Sequence, residues 1–376
     1  MTNHLPTLCR RLALPLLLSP LLAQAAPLYS MTIVADYVPF GAWSQINNAG
    51  NMAIESYSAR DDHTTNVTVY QNGTATKLDG FGGLTKNTHV RDMNNAGQVV
   101  GDSTYANGKY HAYLAQNGSM TDLTPGAGYL YSAAQGINDA GQVIGYAELA
   151  NHQNVSFLYQ NGSLQKLNDL GSVADINNHG QIIGNTMMNG GQSVIYKDGA
   201  ITDRISIDGA DPDSVAGLHI NDKGQVTGTY MMMGEVTSAR GFIYENGAVK
   251  DLGTLYGASG EIFTNDMNNS GEVVGGSFES GWVLAEGRGY LYSNGKMTDL
   301  NTLIDPTAGW RIWDANSIND NHQILANVCR TGDKFDCKIA RLDLTSPVPE
   351  PEAYAMLLAG LGLLGWSARR KAKKAA

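Results

Sequence analysis

Three aspartates recur at one position of a repeated phrase and are the first candidates for chemistry. Asp92, Asp175 and Asp266 each precede an apolar residue and two asparagines, and the same position is His219 in a fourth copy. If the copies form a ring with these residues innermost, the carboxylates would line a channel and attract a cation. The alternative is that they accept hydrogen bonds from neighbouring turns or are solvated. Because the chain lacks the Asp-x-Asp-x-Asn-Gly run and terminal Glu of an EF-hand loop, we expect no metal site.

Motifs of the common catalytic types are missing from the sequence. The chain has no Gly-x-Ser-x-Gly elbow, no His-Glu-x-x-His pair and no Walker loop. The segment Gly101-Asp102-Ser103 could suggest the serine nucleophile of an esterase. It fits the end of a repeat strand better, because other copies place Asn185 and Thr229 after the matching Gly. The acids of a polysaccharide hydrolase or lyase would be scattered along the chain, where spacing does not reveal them. We therefore expect no enzyme and no cofactor, with a carbohydrate-active enzyme as the alternative.

Aromatic residues lie in segments whose length and composition differ between copies of the phrase. Flat amphipathic rings of this kind stack on sugars or on partner surfaces, and variable loops on a rigid scaffold commonly carry binding sites. The alternative is that the rings pack between neighbouring repeats. The predicted ligand-binding face contains Tyr105, Tyr129, Tyr131, Tyr146, Tyr230, Trp282 and Trp310.

The phrase that must position these residues reads Met93-Asn94-Asn95-Ala96-Gly97-Gln98-Val99-Val100-Gly101. Asn at the first position of a type I turn, followed by Gly with positive φ, predicts a short hairpin with a G1 bulge. In the seventh copy His322 replaces the Gly, and His tolerates positive φ better than most residues. Successive copies start 39 to 51 residues apart, which is the period of a stacked or circular repeat array. The other copies start at Ile46, Ile137, Ile176, Ile220, Met267 and Ile318.

A second phrase lies between successive copies of the first. It ends in Asn-Gly, as in Val67-Thr68-Val69-Tyr70-Gln71-Asn72-Gly73, or once in Asp198-Gly199. Asn-Gly between alternating apolar runs is the strongest short-range signal for a hairpin with a type I′ turn. Each unit therefore contains two hairpins, or four strands, and seven such units predict a β-propeller. An open β-solenoid built from the same hairpins is the alternative.

The seventh unit appears one strand short, since only three strand-like runs precede Pro347. The run Tyr29–Asp36, which comes before the first copy of the phrase, matches the fourth strand of other units. We predict that this N-terminal strand completes the seventh blade, because the last blade would otherwise present an unpaired edge. The predicted fold is an all-β, seven-bladed propeller over residues 26–345, followed by a short C-terminal transmembrane-like helix.

The first 25 residues have the pattern of a secretory signal peptide. Arg10 and Arg11 precede the apolar stretch 12–22, and cleavage after Ala25 leaves small residues at positions −3 and −1. An N-terminal membrane anchor is the alternative, but the apolar run is short for a membrane span. We therefore predict that signal peptidase removes residues 1–25.

The C-terminal segment 346–376 has three parts in order. Pro349-Glu350-Pro351 is followed by the apolar stretch 353–366 and by a basic cluster that begins at Arg369 and Arg370. The stretch is short for a bilayer core of about 30 Å, and the basic cluster would remain in the cytoplasm. This arrangement closely resembles the PEP-CTERM sorting signal of Gram-negative bacteria that make exopolysaccharide. The resemblance implies transient anchoring in the inner membrane and removal of the tail by an exosortase; a retained anchor is the alternative.

The body between the two ends is strongly acidic. Without the two leader arginines and the five basic and two acidic residues of the tail, 18 basic and 33 acidic residues remain, a net charge of −15. Such a body repels phosphate backbones, so nucleic acid is not an expected partner. Only Cys329 and Cys337 remain in the body, and in an exported protein this pair predicts a disulfide.

The repeats resemble the bacterial extracellular HAF-repeat family, named for a His-Ala-aromatic segment that stands here as His111-Ala112-Tyr113. Only the second unit carries the full segment. The resemblance covers residues 40–345 and implies an exported repeat protein without a settled activity. Together these features favour a noncatalytic propeller that binds or builds the cell surface or the extracellular matrix of a biofilm. The expected partners are signal peptidase and exosortase during processing, and then exopolysaccharide or other surface proteins.

Overall fold

The computed structural model describes residues 28–36, 43–58, 64–82, 87–126, 128–187, 191–232, 239–279 and 287–345. These residues form seven antiparallel sheets of four strands each. The innermost strands of neighbouring sheets touch one another around a complete circle, from the first blade to the seventh and back to the first. The seven-bladed propeller is therefore confirmed, and the open solenoid is excluded.

The strands are numbered in chain order, beginning with β1 (Tyr29–Asp36). Blade 1 contains β2 (Ser44–Ile46), β3 (Met52–Ser58), β4 (Thr64–Gln71) and β5 (Thr74–Leu78). Blade 2 contains β6 (Thr88–Met93), β7 (Val99–Thr104), β8 (Tyr110–Gln116) and β9 (Ser119–Asp122). Blade 3 contains β10 (Tyr131–Ile137), β11 (Val143–Glu148), β12 (Asn154–Gln160) and β13 (Ser163–Lys166). Blade 4 contains β14 (Leu170–Ile176), β15 (Ile182–Thr186), β16 (Ser193–Lys197) and β17 (Ala200–Arg204).

Blade 5 contains β18 (Ala216–Ile220), β19 (Val226–Met231), β20 (Ala239–Glu245) and β21 (Ala248–Asp251). Blade 6 contains β22 (Gly260–Met267), β23 (Val273–Glu279), β24 (Arg288–Ser293) and β25 (Lys296–Asp299). Blade 7 contains β26 (Trp310–Ile318), β27 (Ile324–Arg330) and β28 (Asp333–Leu344), with β1 as its outermost strand. Three short 3-10 helices lie in connections, at Pro212–Ser214, Gly257–Ser259 and Leu300–Thr302.

The N-terminal strand closes the ring as predicted. β1 pairs with β28 in antiparallel register from Tyr29↔Leu344 to Asp36↔Lys338. The backbone N–H of Thr345 also donates to the carbonyl oxygen of Leu28, 2.9 Å away. Blade 7 is therefore built from both ends of the described chain, and its outer edge is paired.

Two unlike faces follow from the up-and-down order of the strands. The conserved-turn face, named for turns that are alike in the seven repeats, carries the hairpin between the first and second strands of each blade. It also carries the hairpin between the third and fourth strands of blades 1 to 6. The variable face carries the connections between the second and third strands and between successive blades. In the blade 2 phrase, the N–H of Gly97 donates to the carbonyl of Asn94 at 3.0 Å, and Gly97 has a φ of +75°. His322 adopts a φ of +59° at the same position in blade 7, so the turn forms there as well.

The second glycine of the phrase is required by packing. A Cβ on Gly101 would lie 1.9 Å from the carbonyl oxygen of His89 and 3.1 Å from the Tyr113 ring. The space beside Gly101 is occupied on both sides. The pairing of β6 with β7 has a register shift next to Gly101, and the Tyr113 side chain of β8 is fully buried. A larger residue at Gly101 would separate the three inner strands of the blade.

The hydrophobic core consists of layers between adjacent blades. One such layer joins Ala53, Val67 and Leu78 of blade 1 to Val90 and Tyr113 of blade 2, all of them buried. The seam between the first and last blades is built in the same way from Ile46 and Ile54 against Leu325 and Ile339. Burial of apolar surface between blades is therefore continuous around the ring, which is how short four-stranded sheets become stable.

Buried asparagines of the repeated phrase add a second connection between blades. The Nδ2 of Asn47 donates to the carbonyl oxygen of Asn94 in the next blade at 3.0 Å. The equivalent bond recurs at each of the seven blade junctions, with lengths of 2.8 to 3.2 Å, and ends with Asn319 donating to Asn47. The Oδ1 of each asparagine accepts N–H groups of its own turn, as Asn94 does from Ala96 and Gln98. The asparagines thus fix the turn and the blade junction with the same side chain.

No helix in the described part of the chain is long and apolar enough to cross a membrane. The predicted C-terminal transmembrane-like helix lies outside the described residues, as do the signal peptide and the basic end of the tail.

Candidate functional site

The central channel contains the three aspartates that the sequence singled out. Asp92, Asp175 and Asp266 line a polar cavity of about 160 Å³ on the propeller axis. Each carboxylate accepts one N–H of its own strand and one of the next blade, as Asp92 does from Met93 and Ile137 at 2.7 and 2.8 Å. The carboxylates thus accept hydrogen bonds from the strand ends that lead into the turns of the phrase. Within the described residues, no group of three or more His, Cys, Asp or Glu side chains could hold a metal ion.

Burial in the channel raises the pKa values of Asp92 and Asp175. Burial, with the nearby charges of Asp175 and Asp266, raises the pKa of Asp92 to about 8. Burial also raises the pKa of Asp175, opposed by His219, whose Nδ1 lies 3.9 Å from its carboxylate. Because each carboxylate joins two blades, the channel acids act primarily in the architecture of the ring.

A second set of ionisable residues lies between blades 1 and 2, near the variable face. The carboxylate of Glu55 contacts the His89 ring at 3.1 Å, and Asp102 contacts the Arg91 guanidinium at 3.4 Å. Glu55 and Asp102 are both almost fully buried, and the second carboxylate oxygen of Glu55 has no hydrogen-bond partner among the described residues. Burial raises the pKa of Asp102 although the charge of Arg91 opposes it. Burial lowers the pKa of His89, but the hydrogen bond and charge of Glu55 help to raise it overall.

The predicted aromatic residues of blades 2 and 3 contact one another. Tyr131 stacks on Tyr146 with ring centroids 5.7 Å apart and packs against Tyr110 at the same distance. Tyr105 stacks on His111 at 4.8 Å, and the His111 ring also contacts the Asp122 carboxylate at 2.9 Å. Each of these contacts covers part of a ring surface that a sugar would use, although Tyr105 remains 38% exposed.

The remaining predicted residues of these loops differ in accessibility. Tyr129 is half-buried against the core between blades 2 and 3. Tyr230 is only 5% exposed, and its hydroxyl donates to Asp251 at 2.6 Å. The expectation that the Tyr230 ring faces a ligand is therefore wrong, because the side chain belongs to the interior of blade 5. Trp282 lies outside the described residues.

Among the described aromatic residues of the predicted face, Trp310 lines a sizeable cavity. This cavity, of about 340 Å³, lies on the variable face between blades 6 and 7 and is called here the blade 6–7 cavity. Its volume falls within the range typical of small-ligand sites. The cavity is lined by Arg288, Asp299, Asn301, Ile304, Pro306, Trp310, Arg311 and Thr331.

Guanidinium groups stack on aromatic rings at this cavity. The Arg330 guanidinium lies 4.6 Å from the Trp310 ring centroid, and the Arg288 guanidinium lies 5.0 Å from that of Tyr256. The Nε of Arg330 also contacts Asp336 at 2.6 Å, and this hydrogen bond lowers the pKa of Asp336. Such stacking holds long side chains in place while their N–H groups point along the ring plane.

Hydrogen bonds fix two polar side chains that line the blade 6–7 cavity, Asp299 and Asn301. The carboxylate of Asp299 accepts the backbone N–H and the Nδ2 of Asn301, at 2.9 and 2.8 Å. The Oδ1 of Asn301 in turn accepts the N–H of Ile312 at 2.7 Å, which ties the connection to the innermost strand of blade 7. The amide and carboxylate that line the cavity are therefore fixed before any ligand arrives.

The two body cysteines form a disulfide in the structure. Cys329 of β27 and Cys337 of β28 lie directly opposite each other and are bonded. The bond lies close to Arg330 and Asp336, so it constrains the hairpin that supports one side of the blade 6–7 cavity.

The processing residues lie outside the described part of the chain. These are Ala25, Pro349, Glu350, Pro351, Arg369 and Arg370.

Comparison with known families identifies the tail. Residues 347–371 match the PEP-CTERM protein-sorting motif. The predicted sorting signal is confirmed over these residues, and it implies that the protein is exported and sorted by an exosortase through a membrane-anchored tail. A comparison with curated protein sequences gives no match.

Comparison with solved structures identifies the fold. The β-propeller domain of the trilobed protease from Pyrococcus furiosus has a TM-score of 0.53 at 9% identity, covering 83% of this chain and 98% of that domain. A puromycin-hydrolysing peptidase from Mycobacterium tuberculosis has a TM-score of 0.53 at 11% identity, covering 85% of this chain and 52% of that protein. This chain therefore spans about half of the peptidase, and the likeness shows the propeller fold alone. The ring and the tail together define an exported, exosortase-sorted seven-bladed β-propeller.

Sequence reasoning missed most of the blade 6–7 cavity. It found Trp310 but not the arginines, because Arg288 begins β24 of blade 6 and Arg311 is the second residue of β26 of blade 7. Nothing in their spacing of 23 residues marks them as neighbours. The sequence does offer one usable signal. Each of the two arginines is a polar residue next to a glycine or an aromatic residue, and each lies at the variable-face end of its strand.

Proposed function

We propose that this protein is a noncatalytic binding propeller of the cell surface or the extracellular matrix and that it contacts polysaccharide through the blade 6–7 cavity. The observation that carries the proposal is Trp310 lining this cavity beside fixed amide and carboxylate groups. An aromatic ring with oriented polar partners is a common arrangement for sugar binding, because the ring contacts apolar C–H surfaces while the polar groups bind hydroxyls.

The other aromatic residues support the choice of cavity. The rings of Tyr131 and Tyr146 are engaged with each other, and Tyr230 is buried. Trp310, whose ring carries the Arg330 guanidinium at 4.6 Å, also lines a cavity of about 340 Å³. The sorting tail supports a location at or beyond the cell envelope, where polysaccharide is an available ligand.

A carbohydrate-active hydrolase or lyase remains the second candidate, and a specific observation favours it. The buried acids Glu55 and Asp102 belong to one ionic cluster, and one Glu55 oxygen has no partner in the part of the chain that the structure describes. Paired acids are the usual machinery of glycoside hydrolysis. Against this, Asp102 contacts Arg91 and Glu55 contacts His89, which is the pattern of a structural ionic network.

One experiment separates the two functions. The full-length chain, purified in mild detergent, is incubated with a panel of soluble polysaccharides, and both bound polymer and released reducing ends are measured. We expect saturable binding that Trp310→Ala weakens, with no release of reducing ends. Release that increases with time and is lost in Glu55→Gln or Asp102→Asn would establish the enzyme and overturn the noncatalytic proposal. Binding that is equal in the wild type and Trp310→Ala would show that the blade 6–7 cavity is not the site.

A further inference from the structure

We propose that the blade 6–7 cavity binds uncharged saccharides and discriminates against acidic ones. Trp310 and Thr331, which both line the cavity, contact the sugar, and the charged residues of the cavity hold one another in place. This inference rests on the proposed polysaccharide-binding function and adds the chemical class of the ligand.

The pair of Arg288 with Asp299 is part of the architecture of the blades. In three blades, a basic residue of the third strand contacts an aspartate of the fourth strand that follows it by 11 residues. In each blade the basic residue lies two positions before the residue that pairs with the aspartate. The three pairs are His111–Asp122 at 2.9 Å, Arg240–Asp251 at 3.3 Å and Arg288–Asp299 at 3.4 Å. Because blades 2 and 5 carry the same pair, Arg288 is not a cation set aside for an acidic ligand.

The second carboxylate oxygen of Asp299 is also held in a repeated way. It accepts the backbone N–H of Asn301, two residues further along the chain, at 2.9 Å. The equivalent N–H groups donate to the Oδ1 of Asp122 at 2.8 Å and to the Oδ1 of Asp251 at 2.6 Å. Both oxygens of Asp299 therefore have partners within the protein, as in the two other blades.

The other arginines at the cavity are engaged as well. Arg330 contacts Asp336 at 2.6 Å, and its guanidinium lies over the Trp310 ring. The Nη2 of Arg311 donates to the carbonyl oxygen of Gly287 at 3.4 Å, and Arg311 has a further partner in the protein. These guanidinium groups are therefore used in holding blades 6 and 7 together.

Aspartates accompany the arginines in and beside the cavity. Asp299 lines the cavity, Asp336 contacts Arg330, and Asp305 lies in the chain between two lining residues. Hydrogen bonds from the hydroxyl and the backbone N–H of Thr307 lower the pKa of Asp305, so this carboxylate is ionised at neutral pH. Three aspartates thus offset the formal charge of the three arginines, and the cavity offers no excess of positive charge to an acidic ligand.

The charge of the whole body acts in the same direction. Residues 26–345 contain 18 basic and 33 acidic residues, a net charge of −15. A protein of this charge repels a polyanion as it approaches. Since the cavity does not reverse this repulsion, an uncharged polymer is favoured over an acidic polymer of the same shape.

The open hydrogen-bonding groups at the cavity are uncharged. Asn301 is fully engaged, since its Nδ2 donates to Asp299 and to the carbonyl of Ile312, and its Oδ1 accepts the N–H of Ile312. Within the described residues, the indole N–H of Trp310 and the hydroxyl of Thr331 make no hydrogen bond. An indole N–H and a hydroxyl beside an aromatic ring suit the hydroxyl groups and the C–H surface of a neutral sugar.

The test compares polymers that differ in charge. The probes are galactan with polygalacturonate, and dextran with carboxymethyl dextran, and binding to the full-length chain in mild detergent is measured by calorimetry. We expect the neutral member of a pair to bind at least about tenfold more tightly than the acidic member at low salt. This preference should shrink as the ionic strength rises, because salt screens the repulsion.

A matched pair of variants tests whether the cavity itself sets the preference. Asp299→Asn removes the charge that faces Arg288 and keeps an Oδ1 acceptor for the N–H of Asn301. We expect it to reduce the preference for the neutral polymer by about fivefold. Asp251→Asn makes the same change in the equivalent pair of blade 5, away from the cavity, and should leave the preference unchanged.

The outcomes distinguish this inference from the proposed function. If both members of a pair bind equally, or the acidic one binds more tightly, and Trp310→Ala weakens both, the preference for neutral sugars is overturned while the polysaccharide site stands. If Trp310→Ala changes neither isotherm, the cavity is not the site and both proposals fail. If Asp251→Asn reduces the preference as much as Asp299→Asn does, overall charge sets it and the inference about the cavity is overturned.

Discussion

The ring of buried asparagines should be one of the most sensitive features of the fold. We expect Asn94→Ala to lower the free energy of unfolding far more than Asn95→Ala, its neighbour in the same turn. Asn94 is 4% exposed, and its side chain makes four hydrogen bonds. The Nδ2 donates to the carbonyl of Asn138 and to the side chain of Gln98, and the Oδ1 accepts the N–H groups of Ala96 and Gln98.

The magnitude follows from those bonds. At about 1 kcal/mol for each hydrogen bond, and with the buried carbonyl of Asn138 left without this donor, the loss in Asn94→Ala is about 3–4 kcal/mol. Asn95 is exposed, and its Oδ1 accepts the N–H of Asn48 at 2.9 Å while its Nδ2 donates to Asp139 at 2.9 Å. Water can replace both partners, so Asn95→Ala should cost about 1 kcal/mol or less.

The assay is urea unfolding of the full-length chain, followed by both fluorescence and far-ultraviolet circular dichroism. Coincident transitions are needed before the midpoints are compared as free energies. If Asn94→Ala shifts the midpoint no more than Asn95→Ala does, the reasoning about the inter-blade asparagines is refuted.

The remaining predictions concern pH, the disulfide and β1. The pKa of Asp92 is raised to about 8 from its ordinary 3.8, so the protonated carboxyl favours the folded state. The stabilisation from the protonated Asp92 is complete below about pH 4 and is lost as the pH rises through 8. We therefore expect the melting temperature to fall between pH 6 and pH 9, and to fall less in Asp92→Asn; a rise with pH would contradict the sign. The paired variant Cys329→Ser/Cys337→Ser should lose about 2–3 kcal/mol of unfolding free energy with the ring intact, and an unchanged denaturation midpoint would show that the disulfide adds nothing. Replacing Ile33 of β1 with Pro removes an N–H from the strand that pairs with β28. Because this opens the edge of blade 7, we expect more dimerisation or aggregation, which light scattering measures. A strictly monomeric variant would show that another segment protects this edge.

The sequence was sufficient for the fold because the repeats carry local signals. Asn72 and Gly73 both adopt positive φ, as the predicted type I′ turn requires, and Tyr29–Asp36 completes blade 7 as expected. Turn chemistry and strand alternation are determined by neighbours in the chain, so a single sequence reveals them.

The candidate site was harder to predict from the sequence than the fold was. The Asn94 side chain was interpreted only as a turn residue, because its bond to Asn138 joins positions 44 residues apart. Tyr230 was expected on a binding face, yet β19 places it inside blade 5 with its hydroxyl on Asp251. Which side of a strand faces a neighbouring blade depends on register, and a sequence read alone does not fix register at a loop end.

The most direct test of the central claim is a structure of the full-length protein with a bound oligosaccharide. We predict sugar density beside Trp310 in the blade 6–7 cavity. Density at the tyrosines of blades 2 and 3, or in the channel of Asp92, would contradict the assignment of the blade 6–7 cavity as the binding site.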